Sequence, residues 1–456
     1  MDIEGFLEHN PYEDDHTGKE SMFLDRMNEL TRHHYNSCSE YRKLIDTLYG
    51  GKTEFSQLSE VPFLPVKLYK RMDLKSISDE EVFKTMTSSG TTGQQVSKIY
   101  LDRKTAAVQQ KVLTRIVTDY TGHARMPMII LDCPSVLKNR SMFSARGAGI
   151  LGFSIFGAKK MYAFTDDYEL NINEIRTFLD RYQGETILLF GFTYMIWEYF
   201  YKKLLDRGEY LPLDKGVLIH GGGWKKLVDE AVSQEEFKEC LNKVCGITSI
   251  HDYYGMVEQT GCIYMECECG HLHASLFSDV IVRNMKDFSV CEQGEEGVIQ
   301  VLSVIPESYP GHSILTEDVG CILGEDDCPC GRKGKYFHIH GRIKNAEIRG
   351  CSDTYAAKFG KLSGLEFVIG DDKTIEQMPS VPALPPFAEP VISFFNDLSN
   401  WFVPFYTQHP AINYIWENTK GKKFLQIITQ IGAFCDSDKY SFVLAFEQVL
   451  KQFPAK

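Results

Sequence analysis

The sequence predicts a layered α/β protein with a largely parallel sheet, followed by a small helical module towards the C-terminus. Three observations carry this. Between residues 80 and 310, short β-like runs alternate with stretches long enough for helices, the order that builds βαβ units. The chain has 456 residues, 43% of them hydrophobic, enough for more than one domain with its own core. The segment Met378-Pro379-Ser380-Val381-Pro382-Ala383-Leu384-Pro385-Pro386 has a stiff, proline-rich composition, and the residues after it are aromatic-rich with helical spacing.

The first twenty residues are polar, and we expect them to be loosely held. The spacing of Met22, Phe23, Met27 and Leu30, then of Tyr41, Leu44, Ile45 and Leu48, predicts helix from 20 to about 49, closed by Gly50-Gly51. Pro62-Phe63-Leu64-Pro65 reads as an extended connector, because proline disfavours helix in the residue before it. Strands are predicted over 127–132, 186–192, 216–220 and 297–304, and helices over 105–120 and 173–182. The expected organisation is a layered domain over 1–360, a Pro-rich linker over 361–387 and a helical module over 388–456.

With 49 Lys+Arg against 62 Asp+Glu the net charge is −13, which argues against general binding to nucleic-acid phosphates. The start lacks the basic and apolar regions of a signal peptide, and no window approaches the length of a membrane span. The expectation is a cytoplasmic protein whose 13 cysteines are reduced thiols or metal ligands. Several of these cysteines crowd together from Cys262 to Cys351. Among them, Cys267-Glu268-Cys269-Gly270 and Cys328-Pro329-Cys330-Gly331 are two Cys-x-Cys pairs, the thiolate supply of a tetrahedral, structural Zn²⁺ site. His271 and His273 are spare ligands.

The strongest chemical signal is Thr87-Ser88-Ser89-Gly90-Thr91-Thr92-Gly93-Gln94, followed by Lys98. Hydroxyl donors and a glycine backbone together suit phosphate oxygens, although the P-loop ending Gly-Lys-Ser/Thr is not present. Downstream, in order, come Gly221-Gly222-Gly223-Trp224, Tyr253-Tyr254-Gly255-Met256-Val257-Glu258, Thr316-Glu317-Asp318-Val319-Gly320 and Gly341-Arg342. This series resembles the adenylate-forming enzymes. The resemblance implies that Thr87, Ser88, Ser89, Gly90, Thr91 and Thr92 with Lys98 hold ATP phosphates. It also implies that Tyr254 stacks on adenine beside Gly222, that Glu258 ligates Mg²⁺, and that Asp318 and Arg342 hold the ribose.

Pro62–Lys70, Ser144-Ala145-Arg146-Gly147-Ala148-Gly149 and Phe190-Gly191-Phe192-Thr193-Tyr194-Met195-Ile196-Trp197 narrow this further. They resemble the acyl-protein synthetase family over about residues 15–360. The resemblance implies that a fatty acid is activated with ATP to an acyl-adenylate, moved to a cysteine and passed to a reductase partner. Cys351, in Arg349-Gly350-Cys351, is the matching acceptor; Arg349 would favour its thiolate and Gly350 its exposure. Phe192, Tyr194, Met195 and Trp197 would line an acyl pocket. From about Val368 onward the chain resembles the beginning of acyl-CoA reductases, without their Gly-rich nucleotide turn or catalytic cysteine, and reads as a docking module or a shortened fusion. Two other readings stay open: a phenylacetate-type acyl-CoA ligase, and a non-catalytic assembly subunit. Acyl length, oligomeric state and the substitute for the superfamily's swinging-domain lysine also stay open.

Overall fold

The computed structural model describes residues 2–343 apart from 89–95, 138–144, 225, 226, 228, 229 and 286. Cys351, the predicted linker and the predicted C-terminal module lie outside the described residues. Most described residues belong to one compact unit; 42–52 and 283–290 belong to a second, in which Asn284 N–H bonds the Ser289 carbonyl at 2.8 Å. The residues of the candidate site belong to the first.

Contrary to expectation, the N-terminal segment is packed. Ile3–Phe6 is a helical turn capped by Asp2, and Ile3, Phe6 and Tyr12 are buried. Backbone bonds from Leu276 to Pro11 and from Lys333 to Tyr12, at 2.7 and 2.9 Å, fix the segment. Its apolar residues are too few and irregular to register as a period, so local sequence concealed a segment that tertiary contacts order. The predicted helix from residue 20 is two helices, His16–Ser37 and Ser39–Tyr49, broken at Cys38, whose backbone is extended.

Strand β1 (Leu64–Pro65) is the expected extended connector. β2 (Lys84–Thr87) and β3 (Lys98–Leu101) make a separate antiparallel ribbon with Thr87 opposite Lys98. Then β4 (Met126–Leu131), β5 (Gly157–Tyr162), β6 (Ile187–Phe192), β7 (Gly216–Gly221) and β8 (Ser249–Tyr254) form parallel pairs in the order β8-β7-β6-β4-β5. β4, β6 and β7 are buried at every position, which is why they read as unbroken apolar runs. Helices Arg103–Thr121 and Gln234–Cys245 precede β4 and β8. Asp102 and Ser233 cap their starts through backbone N–H groups, and Gly122 and Gly246, at φ +69° and +71°, close their ends.

Beyond β8 the chain turns back on itself. β9 (Tyr264–Glu266), β10 (Leu272–His273), β11 (Ser278–Arg283), β12 (Gly297–Ser303), β13 (Ser313–Glu325) and β14 (Lys335–Arg342) complete a mixed twelve-stranded sheet. Its order is β11-β12-β13-β14-β10-β9-β8-β7-β6-β4-β5, with β1 parallel on β13. The connections from β9 to β10 and from β13 to β14 are hairpin loops without a helix, and these give antiparallel pairing where helical crossovers would give parallel. Among the described residues no helix is long and apolar enough to cross a membrane.

Candidate functional site

The hydroxyl-rich loop is carried by the β2–β3 ribbon. Ser89, Gly90, Thr91 and Thr92 lie outside the described residues, but the neck of the loop is defined. Ser88 N–H bonds the Ser97 carbonyl at 3.1 Å, and Ser97 N–H bonds Ser88 Oγ at 2.9 Å. Ser97 then donates its hydroxyl to Glu258 Oε1 at 2.6 Å, in a buried setting. A carboxylate 1% exposed is thereby fastened to the root of the loop. Glu258 sits in a short turn, Val257–Gln259, pinned from below. Tyr309 O–H donates to the Glu258 carbonyl at 2.9 Å, and the Gln259 amide donates to the Val301 and Gly311 carbonyls. Burial and the nearby Glu258 charge hold the Tyr309 phenol far above its ordinary pKa, so it stays a donor.

Tyr254 ends β8, and its hydroxyl donates to Asp318 Oδ2 at 2.6 Å. Arg342 Nε donates to Asp318 Oδ1 at 3.1 Å, and the β13–β14 register sets Asp318 opposite Arg342. Three residues the sequence set apart by up to 88 positions therefore meet on one carboxylate, itself 4% exposed. Burial first, then the Asp318 charge, pushes the Tyr254 phenol well above its usual range. Gly222, just past the end of β7, takes φ +79°. The Tyr253 ring lies so close to Gly221 that a Cβ there would come within 2.6 Å of it.

Lys98 does not join this group. It is half exposed and pairs with Asp73 at 3.5 Å, while Tyr100 O–H donates to the same carboxylate at 2.6 Å. That phenol bond, with Lys98 behind it, lowers the Asp73 pKa. Thr87 is likewise exposed at the ribbon's end. Phe192, Met195 and Trp197 are buried in the main core. Tyr194 instead accepts a bond from Arg146 at 2.8 Å. Arg146 also pairs with the fully buried Asp132 at 3.1 Å and bonds Tyr168 O–H at 3.0 Å. Sequence reasoning quoted Arg146 and Tyr194 as motif members but missed Asp132, whose signal was its place at the end of an apolar strand. It missed Ser97 as well, next to the lysine that drew attention.

The cysteine pairs do converge, with one exchange. Ligand atoms of Cys267, His273, Cys328 and Cys330 lie within 4.8 Å of one another. Cys269 is exposed and stands outside the group, and His273 takes its place.

The profile of the family described as acyl-protein synthetase, LuxE, matches residues 2–360. The chain belongs to this family. It is therefore a ligase of the acyl-protein synthetase kind. It is 23% identical to the long-chain-fatty-acid–luciferin-component ligase of Vibrio harveyi, over 72% of this chain and 85% of that one. The protein of the same name from Aliivibrio fischeri is also 23% identical, over 70% of this chain and 84% of its own length. Among solved structures, 2-hydroxyisobutyryl-CoA ligase in its postadenylation state superposes with a TM-score of 0.57 at 14% identity, covering 73% of this chain and 69% of that one. An open conformation of the same ligase gives 0.56 at 15% identity, covering 74% and 78%. These likenesses bear out the adenylate-forming fold expected for this acyl-protein synthetase.

Proposed function

We propose that this acyl-protein synthetase activates a long-chain fatty acid with ATP and carries the acyl group on Cys351 to a reductase partner, in the cytoplasm. The observation that carries the reading is the buried Ser97–Glu258 bond, which ties a carboxylate to the root of a hydroxyl- and glycine-rich loop. Tyr254, at the end of the strand that leads into that carboxylate's turn, shares Asp318 with Arg342 through hydrogen bonds.

The donor set fits a nucleotide. Loop hydroxyls suit phosphate oxygens, the Tyr254 ring offers a flat face, and Asp318 with Arg342 suits a ribose edge. Glu258, an oxygen ligand beside the loop, fits Mg²⁺, which binds through one or two carboxylates plus phosphates and supplies charge neutralisation there when bound. Among the described residues Lys98 is held by an exposed ion pair, worth about 0–1 kcal/mol, and can leave Asp73 to meet phosphate charge. In the first half-reaction a fatty-acid carboxylate oxygen attacks the α-phosphorus. The bond to the β-phosphate breaks, and pyrophosphate leaves. In the second, the Cys351 thiolate attacks the acyl carbonyl, the carbon–oxygen bond to AMP breaks, and AMP leaves with its phosphate charge. A Zn²⁺ at the cysteine–histidine cluster completes the reading.

The test is incubation with ATP, Mg²⁺ and labelled fatty acids. Expected are pyrophosphate release and hydroxylamine-sensitive label on the protein. Label that appears only on added CoA, or no pyrophosphate at all, overturns it.

A further inference from the structure

The sheet has one thinly held place. Between the parallel strands ending at β8 and the antiparallel strands beginning at β14 lies only the β9–β10 hairpin. Two register pairs join β9 to β8, and two join β10 to β14. Yet the Tyr254–Asp318 bond spans this hairpin, with one partner on β8 and the other on β13. A seam with so few backbone pairs needs another fastening to hold those groups in register.

The hairpins carry one. Cys267 follows β9, His273 is on β10, and Cys328 and Cys330 lie in the connection from β13 to β14. The Cys267 and Cys328 sulfurs are 3.9 Å apart, and Cys330 Sγ is 3.5 Å from His273 Nε2. Tetrahedral zinc, with bonds of about 2.3 Å to sulfur and about 2.0–2.1 Å to nitrogen, sets sulfur–sulfur edges near ~3.8 Å and sulfur–nitrogen edges near ~3.6 Å. The observed separations match those edges. Both cysteine pairs make the same turn: Gly270 N–H bonds the Cys267 carbonyl and Gly331 N–H the Cys328 carbonyl, each at 2.9 Å, with φ of +81° and +85°. Two further polar groups face the sulfurs. Cys269 N–H donates to Cys267 Sγ at 3.4 Å, and a His271 ring nitrogen lies 3.3 Å from Cys328 Sγ. A cavity of about 370 Å³ lined by Tyr12, Glu268, Cys330 and Arg332 opens a way in for the ion.

We propose that Cys267, His273, Cys328 and Cys330 form a Cys3His site for Zn²⁺ that fastens the β9–β10 hairpin to the β13–β14 hairpin, keeping Asp318 and Arg342 aligned with Tyr254. The alignment part rests on the nucleotide reading above; the metal part does not.

The experiment uses the full chain in two arms. In the first, metal analysis finds one zinc per chain, and mercurial titration of the wild type releases it to a chromogenic chelator, a readout independent of whether variants fold. Cobalt substitution gives the charge-transfer band of three thiolates, unchanged in Cys269→Ser and reduced in Cys330→Ser. No zinc after anaerobic reconstitution overturns the site, and so does a loss of metal in Cys269→Ser with retention in His273→Ala. In the second arm, ATP binding by Cys330→Ser weakens roughly 10-fold, about 1.4 kcal/mol. Equal ATP affinity in wild type and Cys330→Ser overturns the alignment role. A wild type that holds zinc but binds no ATP sinks the nucleotide reading and leaves the metal site standing.

Discussion

A carboxylate as buried as Glu258 is costly unless its oxygens are occupied, and the Ser97 hydroxyl occupies one at 2.6 Å. Two substitutions separate charge from position at this point. Glu258→Gln keeps the shape and an acceptor for Ser97 but removes the charge that would hold Mg²⁺. Fatty-acid-dependent pyrophosphate exchange is expected to slow by a barrier increase of several kcal/mol, with the thermal midpoint nearly unchanged. Exchange at the wild-type rate would end the assignment. Ser97→Ala keeps the charge but removes one donor, which costs about 1–3 kcal/mol and loosens the carboxylate's tie to the root of the loop. Its expected signature is a lower midpoint together with weaker exchange; an unchanged protein would mean that the bond positions nothing. Glu258, Tyr254, Asp318 and Arg342 were legible as residue types in a recognisable order. Ser97 was not, because nothing in a serine beside a lysine announces that strand pairing will aim it at a carboxylate 161 positions away.

At the scale of elements, strands β4, β6 and β7 were readable because they are buried on both faces and carry unbroken apolar runs. β9 and β10, of three and two residues, leave no period to read, and the exchange of His273 for Cys269 follows from their hairpin register. The closeness of Gly221 to the Tyr253 ring joins the ends of β7 and β8, so Gly221→Ala should displace that ring. Overpacking of this kind costs roughly 1–3 kcal/mol, read as a lower thermal midpoint; an unchanged midpoint would show that the ring yields freely. Helix His16–Ser37 meets the loop before β13 through His34 and His312, stacked with ring centres 5.1 Å apart. His312 also contacts Thr31 at 3.1 Å and Tyr41 at 3.4 Å. Burial pushes His312 down to about 3, and burial with His312 alongside pushes His34 well down too. Both are neutral in the fold, whereas the unfolded chain takes up protons below about 6.5. Their stabilising contribution is complete above that pH and is lost as pH falls towards 3, by up to about 1.4 kcal/mol per pH unit for each imidazole. Chemical denaturation at pH 7 and 5 should show the loss, and His312→Gln should flatten it. Equal slopes in both proteins would assign the acid sensitivity elsewhere.

For the molecule as a whole, the family match ends at residue 360, just past Cys351 and before the proline-rich segment. The residues proposed for adenylation lie between Thr87 and Arg342, and none of them needs a thiol at 351. Cys351→Ser should therefore divide the two half-reactions. Fatty-acid-dependent pyrophosphate release is expected to continue at close to the wild-type rate. Acyl capture is expected to vanish, because a serine hydroxyl is far less acidic than a thiol and a poor nucleophile without a dedicated base. The measurement is hydroxylamine-sensitive label on the protein after incubation with ATP, Mg²⁺ and labelled fatty acid, beside pyrophosphate release in the same tube. Cys435, beyond the family match, serves as the control, and Cys435→Ser should label like the wild type. If Cys351→Ser labels and Cys435→Ser does not, the carrier thiol lies past residue 360, and the acceptor has moved out of the family's own region. If both label, neither cysteine is the carrier. If Cys351→Ser loses pyrophosphate release together with its label, the thiol belongs to the adenylation step, and the division of labour proposed for this chain is wrong.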